Sequence, residues 1–334
     1  AELRPGPMCC DGSVRIGIIG TNFISDWLVA ASAKGSQGEI TAVQSRTRER
    51  GEEFAARHGI GVVHTDLDAM LADSDIDAVY VASPNAIHAE QCLAALSAGK
   101  DVLCEKTLGV DAAECATILD AAVQHGRVVL EEVRPLFDPA WQVISDNLPL
   151  VGEVRRVSFE KGQYSSRYDK FRAGTIENAF RPELGNSALA DIGVYCLQPA
   201  IDLFGAPKSA TATSIRLHNG FDAAGTLLLS YDDFLVECGY SKISTSARPS
   251  VIEGERGSIL IDSVAEPARV EFLGRDGEHR LLLDGPPRRA QDNLHHALEV
   301  FAKLCAERCV EHRWREITMR SRELMDLTPL LPST

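Results

Sequence analysis

The chain has 334 residues, 45% of them hydrophobic and 25% charged, an ordinary globular composition long enough for two domains with full cores. Its 34 Lys and Arg against 48 Asp and Glu give a formal net charge of −14, a field that repels phosphate and speaks against nucleic acid or an anionic membrane surface as a partner. No apolar run reaches the ~18 residues of a membrane span, and nine cysteines, an odd number without a C-x-x-C pair, read as reduced thiols of a cytoplasmic protein.

Residues 1–13, "AELRPGPMCCDGS", read as a flexible leader without the apolar stretch of a signal peptide. From residue 14 short β-branched runs alternate with helical stretches: "VRIGII" (14–19), "ITAVQS" (40–45), "GVVHT" (61–65), "DAVYVAS" (77–83), "DVLCE" (101–105) and "RVVLEE" (127–132). Runs that are apolar throughout are covered on both faces, which predicts a parallel, doubly wound α/β domain over 14–133. The texture then changes. A helix is predicted near 138–147, another over 187–204, and between 207 and 283 strand-like runs recur with turn signals such as "HNGFD" and "GRDGE". Helices near 291–311 and 320–327 close an α+β domain, 134–334, with a mostly antiparallel open sheet of about half a dozen strands. Cys305 and Cys309 share a helix face, but no His or further Cys is spaced to complete a tetrahedral set, so no metal is predicted.

The first strand runs into "GIIGTNFISDW". Gly20 makes the tight turn, and the helix starting near Phe23 aims its N–H groups at a pyrophosphate, so Gly20, Thr21, Asn22, Phe23 and Ile24 are candidate dinucleotide contacts. Asn22 stands where a second Gly is usual, and Asn tolerates positive φ better than other side chains. The second strand ends in "QSRTRER", offering Ser45 and Arg46 where an acidic residue would read the ribose of NAD. A hydroxyl and a guanidinium there suit a 2′-phosphate, so NADP is predicted over NAD. In "ASPNAIHAE", Ser83 and Pro84 stop the fourth strand in a loop that borders the ligand crevice, so both are candidate cofactor contacts; Asn85 either caps the next helix or faces the cofactor, and His88 either faces the cofactor or lies on the helix surface.

At the end of the fifth strand, along the same crevice where the nicotinamide half of a dinucleotide would lie, stand Glu105 and Lys106, both candidate cofactor contacts. A lysine at that edge can polarise a carbonyl, with Glu105 pairing to it. In "NSALADIGVYCLQ", Asp191 and Tyr195 fall at i and i+4 on one helix face. A phenol titrates near 10; beside a lysine it ionises more readily and can pass a proton to or from a substrate oxygen. In isolation each of these residues reads as well as an ion pair or a helix face.

Taken in order, "GIIGTNFIS", "SRTRERGEEFAARHG", "VASPNAIHAEQCLAALSAGKDVLCEK" and "ALADIGVYCLQ" resemble the Gfo/Idh/MocA family of oxidoreductases over most of the chain. The resemblance implies a Rossmann domain and a hydride transfer between nicotinamide and a sugar-like alcohol or ketone. By it Lys106 matches the family's E-K-P lysine, with Thr107 in place of the Pro, and Asp191 and Tyr195 match the D-x-G-x-H/Y motif. Tyr195, together with Arg134 and Phe137 in "EEVRPLF", is most like the dimeric dihydrodiol and D-xylose dehydrogenase branch, where that tyrosine is the acid/base. The resemblance also implies that the open sheet pairs subunits into a homo-oligomer, a dimer or tetramer. Two rival readings stand: a ketosugar (nucleotide-sugar) reductase of a deoxysugar or natural-product pathway, and a non-catalytic dinucleotide-binding sensor.

Segment 161–183 carries Lys161, Arg167, Lys170, Arg172 and Arg181 against Asp169, Glu177 and Glu183, with Tyr164, Tyr168, Phe171 and Phe180 interleaved. Aromatic faces stack on sugars and guanidinium groups bind phosphate, so Tyr164, Arg172 and Arg181 are candidate contacts to an anionic sugar. The alternative is a solvated loop.

Overall fold

The apolar run at the start of the domain forms β1 (Val14–Ile19), with four of its six residues in a row fully buried at its end. The computed structural model describes residues 13–35 and 38–327; the predicted leader, with Cys9 and Cys10, lies outside the described residues apart from Ser13. After β1 come α1 (Phe23–Ser32), β2 (Gly38–Gln44), α2 (Arg48–His58), β3 (Val62–His64), α3 (Leu67–Leu71), β4 (Ala78–Val81), α4 (His88–Ser97), β5 (Asp101–Glu105), α5 (Ala112–His125) and β6 (Val129–Glu132). All six strands pair in parallel in the order β3-β2-β1-β4-β5-β6. Every residue of β4, β5 and β6 is buried, as helix-covered strands must be. The order reverses between β1 and β4, the switch point at which ligands of open α/β sheets bind.

The chain divides into two compact units, residues up to Glu132 with Gln291–Glu316, and Val133–Ala290 with residues from Ile317 on. A single boundary at 133/134 is therefore corrected at its far end. The helix α9 (Leu294–Glu307) returns to the first unit, where Leu298 packs so close to β2 that a Cβ on Gly38 would lie 2.9 Å from its Cδ1.

Between these segments lie α6 (Pro139–Asn147), β7 (Val154–Gly162), α7 (Tyr168–Arg172), α8 (Val194–Phe204), β8 (Ser209–Arg216), β9 (Asp222–Ser230), β10 (Leu235–Ser241), β11 (Ser250–Gly254), β12 (Gly257–Ile261), β13 (Arg269–Gly274) and β14 (His279–Asp284). The second sheet has eight strands rather than about six, because 250–261 turns back at Glu255–Arg256 and supplies two. Its order is β14-β13-β12-β11-β7-β10-β9-β8, antiparallel except for the β7–β10 pair. The helix predicted over 187–204 opens with a π turn, Leu189–Gly193, before α8. The closing helix α10 (Trp314–Asp326) is longer than predicted. Two of its four buried residues are Thr318 and Ser321, which hide its apolar stripe from the sequence.

Candidate active site

The predicted cofactor turn sits at the switch point. Gly20 has φ +109°, and a Cβ there would lie 3.1 Å from the Ala82 carbonyl, so only glycine lets β1 turn this close to the end of β4. Asn22 corrects the sequence argument: its φ is −92°, and it serves as the N-cap of α1. Its Oδ1 accepts from the Ile24 and Ser25 backbone N–H groups at 3.0 and 3.4 Å, while Nδ2 donates to the Ala82 carbonyl at 2.6 Å. A side chain that caps α1 and ties β1 to β4 is a stronger reason for Asn than tolerance of positive φ. Thr21 and Phe23 complete the turn, Phe23 exposed and edge-on to Trp27. At the end of β2, Ser45 is buried with its N–H on the His64 carbonyl, whereas Arg46 is exposed and makes no ion pair among the described residues.

The next loop also departs from expectation. Asn85 opens a 3₁₀ turn, Asn85–Ile87, instead of capping α4, which starts at His88 without a side-chain cap. Ser83 Oγ donates to Gln91 Oε1 at 2.7 Å, and Pro84 is exposed. His88 does not lie on the helix surface. It is fully buried, with Nδ1 2.8 Å from the Thr107 carbonyl and Nε2 2.9 Å from the Ser83 carbonyl. It thus ties the Ser83 loop to the loop that carries Lys106. That second loop, with a cis Lys106–Thr107 peptide, is clamped further by Leu108 N–H to the buried Glu131 carboxylate (2.9 Å) and Val110 N–H to Glu114 (3.0 Å). Side chains alternate along a strand, and Glu105 turns inward to accept the Tyr80 hydroxyl at 2.5 Å, leaving Lys106 half-buried at the edge. Burial first, then the charges of Glu105 and Glu132, drive the Tyr80 phenol well above its usual range.

Burial lowers the His88 pKa from 6.5 despite its two carbonyl partners. The unfolded chain therefore takes up the proton first, and stability held above the unfolded value is lost as pH falls through it. At neutral pH the imidazole carries a single N–H and donates to one of the two carbonyls, so His88→Phe is expected to destabilise by about 1–3 kcal/mol for that one lost bond. The gap between the variant and wild type should narrow on acidification from about pH 7 to about pH 5. Urea unfolding across that range checks this, and a constant gap refutes it.

In the second unit, the 3₁₀ turn Arg134–Phe137 buries both Arg134 and Phe137. Arg134 Nη1 donates to the Tyr195 hydroxyl at 2.7 Å, and its Cζ lies 4.7 Å from the ring centroid. Nη2 reaches Glu266 Oε1 at 3.1 Å. Glu266 Oε2 accepts from Lys161 Nζ at 2.7 Å and from Ser263 Oγ at 3.1 Å. Burial pushes the Glu266 carboxyl up, but Lys161 and Arg134 more than offset this and hold it below the usual value. Asp191 stands on the π turn and pairs with Lys242 at 2.6 Å, its carboxylate 40% exposed against 6% for the lysine. Gly193 lets this turn lie on the sheet, since a Cβ there would meet Tyr240 at 3.1 Å.

Most charges of segment 161–183 pair within the segment. Lys170 and Arg167 pair with Glu177, Arg172 with Asp169, Arg181 with Glu183, and Tyr164 donates to Asp169. Tyr164, Arg172 and Arg181 reach neither Arg134 nor Tyr195 by hydrogen bond, ion pair or ring contact. The aromatic residues go to a core instead: Phe171, Phe180 and Phe221, with Tyr168 packed against them. Lys242 Nζ lies 5.3 Å from the Phe180 ring centroid and 5.7 Å from that of Phe221, so this core cradles the cation that holds Asp191. Lys242 and Glu266 were not legible as site residues, since each is one charge beside a strand. Among the described residues no cluster of three or more His, Cys, Asp or Glu is placed to hold a metal, and no helix is long and apolar enough to cross a membrane.

A family model for the NAD-binding Rossmann fold of the Gfo/Idh/MocA oxidoreductases matches residues 14–133, and the C-terminal domain model of the same family matches 150–260. The chain is 43% identical over 298 residues to the scyllo-inositol 2-dehydrogenase (NADP(+)) of Bacillus subtilis, 89% of this chain and 90% of that one. It is 28% identical over 272 residues to the trans-1,2-dihydrobenzene-1,2-diol dehydrogenase of Mus musculus, 80% of this chain and 78% of that one. Among solved structures it superposes with TM-score 0.81 on a 3-ketoreductase from Actinomadura kijaniata in complex with NADP and TDP-benzene, at 25% identity, covering 94% of this chain and 96% of that one.

Proposed function

The chain belongs to the Gfo/Idh/MocA family and is an NAD(P)-dependent oxidoreductase acting on CH–OH groups, and from that premise we propose that it exchanges a hydride between NADP and a sugar or cyclic polyol. The sensor reading falls with the premise. What carries the finer reading is that both motif residues capable of proton chemistry are held by built networks: Lys106 on a loop clamped through His88 and Glu131, Tyr195 under Arg134.

The first unit fits a dinucleotide, because the Gly20 turn admits no Cβ at the switch point and so brings bare backbone to the place where a pyrophosphate lies. Gly20 to Ile24 would hold the pyrophosphate and Arg46 the 2′-phosphate. The nicotinamide, when bound, supplies or accepts the hydride. Lys106 polarises the substrate oxygen, Tyr195 transfers the proton, and Asp191, steadied by Lys242, orients a substrate hydroxyl. An uncharged polyol is favoured over a nucleotide sugar, since the basic side chains of 161–183 are already paired with carboxylates. The likeness to the ketoreductase keeps the nucleotide-sugar reading as the second candidate. A homodimer formed through the open face of the second sheet, in the cytoplasm, completes the proposal.

The test is reduced-nicotinamide absorbance with NADP⁺ and then NAD⁺, each with scyllo-inositol, D-xylose and a trans-dihydrodiol. Turnover of a polyol or aldose with NADP⁺ is expected. Turnover confined to a thymidine-diphosphate ketosugar with NADPH would overturn the polyol reading.

A further inference from the structure

The Tyr195 hydroxyl has a partner that the motif does not specify. Arg134 is 4% exposed, lies within the same unit, and donates to the phenol oxygen at 2.7 Å. A guanidinium has donors only, so Tyr195 must accept in this contact, and its own hydrogen is left for a different acceptor. Across the fork, Glu266 receives Arg134 on one oxygen and Lys161 and Ser263 on the other. One carboxylate is thus shared between two cations, which fixes the guanidinium beside the phenol.

We propose that Arg134 is a positioning residue for Tyr195: by occupying one lone pair it points the hydroxyl hydrogen away from itself and toward the reacting oxygen, and by its charge it stabilises the phenolate that proton transfer leaves behind. The inference rests on the reading of Tyr195 as the acid/base and extends it to the buried Arg134–Glu266–Lys161 chain, whose task is to keep the guanidinium at one angle. In the reducing direction the hydride forms the new C–H bond, the carbonyl π pair takes the Tyr195 proton as an O–H bond, and the phenolate remains facing Arg134 until solvent reprotonates it. In the oxidising direction the same phenolate is the base. A single contact therefore serves both directions. It also gives Tyr195 a source of ionisation within its own unit, in addition to the lysine that the family pattern supplies.

Tyr195 can be titrated without turnover. The near-ultraviolet tyrosinate absorbance of the full-length protein, minus that of Tyr195→Phe, isolates this one phenol. Its midpoint is expected below the ordinary value of about 10. Arg134→Met should raise it by about one unit or more, the size of effect an adjacent guanidinium has on a titrating group. Arg134→Lys keeps the charge and should restore most of the shift. A wild-type midpoint at or above the ordinary value overturns the inference whether or not Arg134→Met folds. So does an Arg134→Met midpoint equal to that of wild type. Full turnover in Tyr195→Phe would instead sink the acid/base reading while leaving the titration intact, so the two failures are distinguishable.

Discussion

Tyr195→Phe is expected to lower kcat by about 10²–10⁴-fold, the usual contribution of a positioned general acid–base group, while the dissociation constant for the cofactor stays at its wild-type value. The substitution is suited to the question because it removes one oxygen and little else. The ring stays within α8, and Arg134 keeps its contact with the ring face and with Glu266. The donor at Nη1 loses its acceptor, which costs about 1–3 kcal/mol, so thermal unfolding should register a modest loss alongside a much larger loss of rate. Lys106→Ala, at the end of β5, should depress kcat in the same direction. Fluorescence titration with NADP⁺ separates the effects. Wild-type turnover in Tyr195→Phe would remove the phenol from the chemistry, and a parallel loss of cofactor binding would point to collapse of the fold.

What the sequence made legible follows from where the physics is local. Strands buried on both faces read as unbroken apolar runs, so β1, β4, β5 and β6 were visible within a few residues. Gly20 was visible because a strand that must turn at once into a helix needs positive φ, and the next strand leaves no room for a Cβ. Asn22 was read for its tolerance of positive φ, but it caps α1 and bonds Ala82 across 60 residues, a contact that no local pattern carries. The same holds for His88, whose two partners sit on separate loops. Charge patterning was least decisive in 161–183. An excess of basic residues with aromatics between them looks alike whether it faces a ligand or folds on itself. Here Tyr168, Phe171 and Phe180 joined a core, and the basic residues other than Lys161, which reaches Glu266, found acids of their own segment. Lys242 and Glu266 matter through Asp191 and Arg134, and residues that act through others leave no motif.

Arg46→Ala is expected to weaken NADP⁺ about tenfold, the lower end of what hydrogen bonds to a charged group supply, and to leave NAD⁺ unchanged. The lower end is appropriate because Arg46 is exposed, so solvent and salt screen its charge. Its neighbours do not compete for the phosphate. Ser45 is buried with its N–H on the His64 carbonyl, Thr47 accepts the Arg50 N–H as the N-cap of α2, and Arg48 lies 3.6 Å from Glu52 one turn along the helix. Arg46 is thus the cation at the β2 edge that is exposed and makes no ion pair among the described residues. The screening supplies a second readout: raising the salt concentration should weaken NADP⁺ binding to wild type more than to Arg46→Ala, and should hardly change NAD⁺ binding to either. Equal loss of both cofactors in the variant would mean that Arg46 supports the β2–α2 turn rather than the 2′-phosphate. Unchanged NADP⁺ affinity would move the choice of cofactor to another part of the first unit.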